Sequence, residues 1–246
     1  MFKEIWDMQL DLNKRIGYDT YNDSQKHEYL YMYAEALNDE VIELLECYNI
    51  NLERRGYLDV GLESSCYNNA KIECIDCLHF LMSIFHILDM KKPSDFCVAL
   101  IEEEDFFDDE GNQKDIIKTY WEKIVKIETA FDGLPGSISM TFIHIKMMLV
   151  NISNLKNRTS WKWWSKVVRE NPDRQFKEII KWDGINEDCA KLLFHLLSLC
   201  YQLNITIDDI YNIYYEKWKI NHERQENDYD VAHKNENDNK ELETKM

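Results

Sequence analysis

Residues 28–49 read "EYLYMYAEALNDEVIELLECYN", and the period of this stretch decides the fold class. Its apolar positions Leu30, Ala34, Leu37, Val41, Leu44 and Leu45 recur at three- and four-residue steps. That is the spacing of a helix with one buried face. Upstream, Phe2, Ile5, Trp6, Leu10 and Leu12 share a broad face over 2–16. Downstream, a more apolar helix is predicted over 69–89, with Pro93 beyond it as a stop. Further helices are predicted over 113–130, 138–155, 160–170, 174–181, 186–203 and 207–224, the last opened by Thr206 as N-cap. Residues 51–68 read as a polar loop, and "FDGLPGS" (131–137) as a break.

Only 7 Gly and 3 Pro occur in 246 residues, too few turn-formers for an all-β chain. The expectation is an all-α helical bundle forming one domain over 1–227. An acidic insert, "EEEDFFDDEGN" (102–112), lacks the alternating ligands of a calcium loop and reads as solvated. The polar stretch 228–246 reads as a disordered tail.

A net charge of −17 argues against a nonspecific nucleic-acid binder and suits a protein that holds cations. There is no apolar run near membrane-spanning length and no charged-then-apolar opening segment, so no membrane association is expected. Seven scattered cysteines, several within apolar runs, read as reduced and buried in a cytoplasmic protein.

Two carboxylate pairs interrupt the apolar faces. Glu40 and Glu43 lie three apart on one predicted helix, Glu73 and Asp76 three apart on the next. Each pair presents two anions to one side of its helix. Four anions against a core repel one another and resist desolvation unless a cation neutralises them. An all-oxygen donor set suits Mg²⁺ or Mn²⁺. The alternative is that both pairs lie on a solvated edge. Cys74 and Cys77, each following a residue of the second pair, have zinc-ligand spacing, but no second Cys-x-x-Cys completes a site, and buried helix packing is expected. Asp76-x-x-His79 imitates half of a di-iron site, and its only echo, Asp230-x-x-His233, falls in the polar tail.

An internal echo links "LHFLMSIFHILDM" (78–90) to "LFHLLSLCYQLNI" (193–205). Superposing His79 on His195 sets Cys189 and Leu192 where Glu73 and Asp76 stand. The expectation is one catalytic half and one structural half.

Four stretches together resemble the dimeric, all-α dUTPases of the MazG-like pyrophosphatase superfamily and related phage dCTP/dUTP pyrophosphatases. "MQLDLN" (8–13) resembles an N-terminal family segment through Gln9 and Asn13. "EALNDEVIELLE" (35–46) and "ECIDCLHFLMSI" (73–84) resemble its two carboxylate helices, with His79 and Phe80 following as they do there. "YYEKWKINHERQENDY" (214–229) resembles its C-terminal signature through Lys217, Asn221, Arg224, Gln225 and Tyr229. Trp218 and Asp228 depart from that signature. The family's early tryptophan stretch is replaced by "CYNINLERRGY", while a "WKWW" occurs at Trp161–Trp164.

The resemblance implies hydrolysis of dUTP between the α- and β-phosphates, in a homodimer. Glu40, Glu43, Glu73 and Asp76 would hold Mg²⁺ ions, and Glu43 would also orient the attacking water. Lys217 and Arg224, two helical turns apart, would meet the triphosphate with Asn221 between them. Gln9 and Asn13 would read a base edge or sugar hydroxyl, and His79 would touch substrate or support the site. Activity on dCTP, on both nucleotides or on a broader MazG-like range is the alternative within this class. A helical module that binds a regulatory protein, with little catalysis, is the alternative outside it.

Overall fold

The computed structural model describes residues 1–15, 26–52, 58–62, 67–130, 138–158 and 184–226. Its helices are α1 (Phe2–Asn13), α2 (Lys26–Glu46), α3 (Tyr67–Leu88), α4 (Ile116–Ala130), α5 (Ile138–Arg158), α6 (Ile185–Gln202) and α7 (Ile207–Glu226). The chain is all-α, as expected. The predicted helices over 160–170 and 174–181, the Trp161–Trp164 cluster, Tyr229 and the 228–246 tail lie outside the described residues.

Two places differ from a plain helix-and-loop reading. The expected polar loop after α2 contains a hairpin, with β1 (Tyr48–Leu52) pairing antiparallel to β2 (Leu58–Leu62). Its register sets Tyr48, Ile50 and Leu52 opposite Leu62, Val60 and Leu58, an alternation of period two already written in both strands. The acidic 102–112 segment keeps its outer carboxylates exposed but is anchored by Phe106, which is fully buried beside Tyr120. Burying such a ring contributes about 2 kcal/mol, and Phe107 packs against the same core.

α3 is the axis of the bundle. From Ile72 to Leu88 nearly every residue is buried, and α1, α2, α6 and α7 all pack on it. Burial on all sides explains its weak amphipathicity and its high apolar content. At its far end Phe85, Phe96 and Phe2 meet edge to face. α7 opens with the expected cap: the Thr206 hydroxyl accepts from the Asp209 N–H at 3.1 Å, and the Asp209 carboxylate accepts from the Thr206 N–H at 2.9 Å.

The triplets α1–α2–α3 and α4–α5–α6 follow one pattern. Buried Leu30, Tyr33, Ala34, Leu37, Val41 and Leu44 of α2 are matched at the same spacing by buried Thr141, His144, Ile145, Met148, Ile152 and Leu155 of α5. α3 and α6 end in the same cap, a left-handed residue, Asp89 (φ 56°) or Asn204 (φ 51°). The next N–H then closes back on the chain, Met90 to Phe85 at 3.0 Å and Ile205 to Cys200 at 2.9 Å.

These caps correct the expected superposition by one residue. His79 corresponds to Phe194, Glu73 to Asp188 and Asp76 to Lys191, so Cys189 and Leu192 do not stand in the carboxylate places. Leu-rich helices match almost equally well when slid by one position. The cap removes the ambiguity.

Candidate active site

α2 and α3 run side by side, and their carboxylates converge. Single oxygens of Glu40, Glu73 and Asp76 lie within 4.8 Å of one another. Glu73 is buried, while Glu40 and Asp76 are partly exposed. Three anions this close cannot all stay charged in a poorly solvated place. Burial, then the charge of Asp76 and the contact with Glu73, push Glu40 up to about 9. Burial also raises Glu73, to about 6, opposed by its hydrogen bond with Glu40 and by the charge of Lys217. Glu43, one turn along α2, is exposed and outside the trio, although its charge acts on both glutamates. The structure therefore brings together three of the four predicted carboxylates.

A cation from the far end of the sequence completes the cluster. Lys217 on α7 is 5% exposed, and its Nζ lies 2.8 Å from Asp76 Oδ2. One and two turns further along α7, Arg224 donates through Nη1 to Asn221 Oδ1 at 3.0 Å. Both are partly exposed, and Gln225 is exposed.

Beneath the carboxylates lies a buried polar network. Gln9 Oε1 accepts from the Tyr214 hydroxyl at 2.7 Å and faces His79 Nδ1 at 2.7 Å, so His79 carries its proton on Nδ1. Gln9 Nε2 donates to Asn13 Oδ1 at 2.9 Å and to Ser83 Oγ at 3.0 Å. All four bonding positions of this amide are used by protein partners. Asn13 accepts further from Ser83 at 3.1 Å and donates to His86 Nδ1 at 3.3 Å. At 4% and 1% exposed, Gln9 and Asn13 hold the wall of the site in place, and their expected reading of a base edge has no free amide of Gln9 to use.

His79 stacks on Tyr214 at 3.9 Å between centroids. Burial, with the nearby Lys217 charge, lowers it to about 3, so it is neutral with a lone pair on Nε2. That buried atom has no hydrogen-bond partner among the described residues. Nε2 of His86, in the same network, is likewise without a hydrogen-bond partner among the described residues. Ser83, His86, Tyr33 and Tyr214 were not singled out from the sequence. A signal existed: Ser83 and His86 continue the His79 face of α3 at helical spacing, polar positions in an otherwise apolar run.

The thiols that follow these carboxylates in sequence are packed in the core. Cys74 and Cys77 are fully buried and held protonated, Cys74 by its bond to Cys200 and by burial, Cys77 by burial. The Cys-x-x-Cys is helix packing.

A family model described as dUTPase matches residues 173–229, which take in α6, α7 and the stretch from Lys217 to Tyr229. This is less than a quarter of the chain. No curated protein and no solved structure matches. The match supports kinship with the all-α dUTPase-like proteins and, at that level, a nucleotide pyrophosphatase-like function.

Proposed function

We propose that the protein hydrolyses dUTP between the α- and β-phosphates, giving dUMP and pyrophosphate with Mg²⁺ as cofactor. One observation carries the reading. Lys217, inside the dUTPase-matched segment, is seated on Asp76 of the acidic cluster 141 positions away, so the family signature and the carboxylates form one site.

The donor set fits the cofactor. Three carboxylates supply only oxygens, burial and the neighbouring carboxylates raise both glutamates, and an ammonium already sits on Asp76. Mg²⁺ or Mn²⁺ held by Glu40, Glu73 and Asp76, with Glu43 at the rim, would neutralise charge developing on the phosphoryl oxygens and acidify a bound water.

The remaining roles belong to the chain's own residues. Glu43, exposed beside the cluster, orients the attacking water and takes its proton. Lys217 and Arg224 hold the phosphates, with Asn221 keeping the guanidinium aimed and Gln225 and Tyr229 following in the signature. His79 Nε2 accepts a hydrogen bond from the nucleotide, while Gln9 and Asn13 fix the His79 tautomer and ring.

A homodimer in the cytoplasm belongs to the same reading. Ile143, Met147 and Val150, at helical spacing on α5, form an uncovered apolar stripe that a second copy would bury. Buried, reduced thiols suit the compartment.

The test is pyrophosphate release from dUTP, dCTP, dTTP and UTP, with Mg²⁺ and with chelator, beside Glu43→Gln. Metal-dependent release from dUTP that the variant loses supports the reading. Release mainly from dCTP, or from many nucleotides, keeps the site and changes the substrate. A folded protein that releases none leaves the helical interaction module.

A further inference from the structure

Lys217 is a long, flexible side chain whose ammonium is almost wholly buried, 2.8 Å from an oxygen of the cation cluster. A divalent cation among the three carboxylates would share Asp76 with that ammonium, bringing a single and a double positive charge close together. The repulsion would act in a site with little water to screen it, and movement of the ammonium relieves it. A lysine ammonium is a point charge on four methylenes, free to swing by several ångströms while its backbone stays in place.

The corresponding place in the other half makes the choice of residue informative. Asp188, the counterpart of Glu73, is neutralised by Arg158, a planar fork that holds a carboxylate in fixed geometry. Arg158 is itself nested against Gly184, where an added Cβ would stand 2.8 Å from Nη2. That cation is built to stay. Lys217 carries its charge on a flexible stem instead of a planar fork, and Asn221 and Arg224 lie further along its own helix, where the phosphates of a nucleotide would come to rest.

We infer that Lys217 is a displaceable stand-in for the metal: it neutralises Asp76 while the cluster is unloaded, and is driven off by the arriving divalent cation onto the substrate phosphates. Metal loading thereby frees the residue that grips the nucleotide, coupling the two binding events. The coupling is reciprocal, because a phosphate that draws Lys217 away leaves Asp76 open to the cation. This rests on the reading of Glu40, Glu73 and Asp76 as a cation site, and concerns how that site is kept neutral when unloaded.

The experiment follows the Lys217 ammonium directly in ¹H–¹⁵N spectra of lysine-labelled protein, assigned by its loss in Lys217→Met. In metal-free protein the buried, paired ammonium is expected to be protected from solvent exchange. Adding Mg²⁺ without nucleotide should abolish that protection. Retention of the protected signal at saturating Mg²⁺ would overturn the inference. In parallel, Mn²⁺ binding without nucleotide is read by electron paramagnetic resonance. Lys217→Met, lacking the competitor, should bind Mn²⁺ about fivefold or more tighter than the parent chain. Lys217→Arg, holding Asp76 more firmly, should bind it more weakly. Equal affinities in all three would also overturn the inference. Asp76→Asn separates the two levels: if it leaves Mn²⁺ affinity unchanged, the cation-site reading itself fails. If it weakens binding while the Lys217 variants change nothing, only the displacement fails.

Discussion

Asp188 on α6 and Glu73 on α3 occupy corresponding buried positions, yet their surroundings are opposite. Asp188 is matched by Arg158 of its own half. Glu73 faces Glu40 and Asp76, with an ammonium brought in by α7. The difference extends along the neighbouring helix, where Asn151, a neutral amide satisfied by the Met147 carbonyl at 2.8 Å, corresponds to Glu40. Deeper still, each half has a buried polar network joining its three helices. In the first it is neutral, built on Gln9, Asn13 and Ser83. In the second, Glu128 bonds His144 at 3.0 Å and Gln202 at 2.9 Å, and His144 reaches His195 at 3.1 Å. One skeleton thus carries one half whose charges are matched internally and one left short of positive charge. The second condition is a liability for stability and a requirement for binding a cation.

The comparison can be broken where it is sharpest. Glu40→Asn gives the first half the residue found at 151, and should abolish metal-dependent turnover. The expected loss exceeds the roughly 10–100-fold typical of outer partners of a metal, since a donor itself is removed. Steady-state rates across a Mg²⁺ titration would show it.

The reverse experiment unbalances the second half. Arg158→Met leaves Asp188 buried without its cation, and should destabilise the fold by about 3 kcal/mol by denaturant unfolding. Adding Asp188→Asn should recover most of that loss. If the double variant is as unstable as the single one, the arginine matters through packing rather than charge. Gly184→Ala, at φ +74° and against the Arg158 guanidinium, should cost about 1–2 kcal/mol in the same assay.

The smallest effect is a pH dependence. Folded, Glu40 keeps its proton up to about 9; unfolded, it loses it in the ordinary carboxylate range around 4.5. The folded state therefore binds more protons over that interval, and stability falls as pH rises through it. Buried histidines act with the opposite sign at lower pH. His79, lowered to about 3, and His86, His144 and His195, lowered to about 4, must charge on unfolding, so acid destabilises below 6.5. Above 6.5 the Met1 amine and the buried Cys74, Cys77 and Cys189 thiols, all raised, act in the same sense as Glu40, so a variant is needed to isolate its share. With chelator, the melting temperature should decline from about pH 7 toward 9, and Glu40→Gln should flatten the decline. A curve that does not fall in that range would mean the cluster is better neutralised than its geometry indicates.

The fold was largely legible because buried helix faces repeat locally. Spacing alone places Leu30 to Leu44 on one side of α2 and both acidic pairs on neighbouring helices. The carboxylate site was half legible for the same reason: a same-helix pair such as Glu73 and Asp76 follows from periodicity. What escaped depends on contacts distant in sequence. Gln9 with Tyr214, and Lys217 with Asp76, are joined only when α1 and α7 close on α3. No periodicity distinguishes Gln9 as a fully committed amide from Gln9 as a free one. Glu43 shares its helix face with Glu40 but not its burial, a difference that spacing alone does not show. The pairing of 48–52 with 58–62 escaped for another reason: its alternation of apolar residues is present but short.

The most direct test of the central claim, that Glu40, Glu73 and Asp76 form a cation site guarded by Lys217, is anomalous scattering from crystals grown with Mn²⁺. A strong peak is expected among the three carboxylates, with the Lys217 ammonium moved off Asp76. Well-ordered carboxylates with no peak, and Lys217 still seated on Asp76 at saturating Mn²⁺, would contradict it.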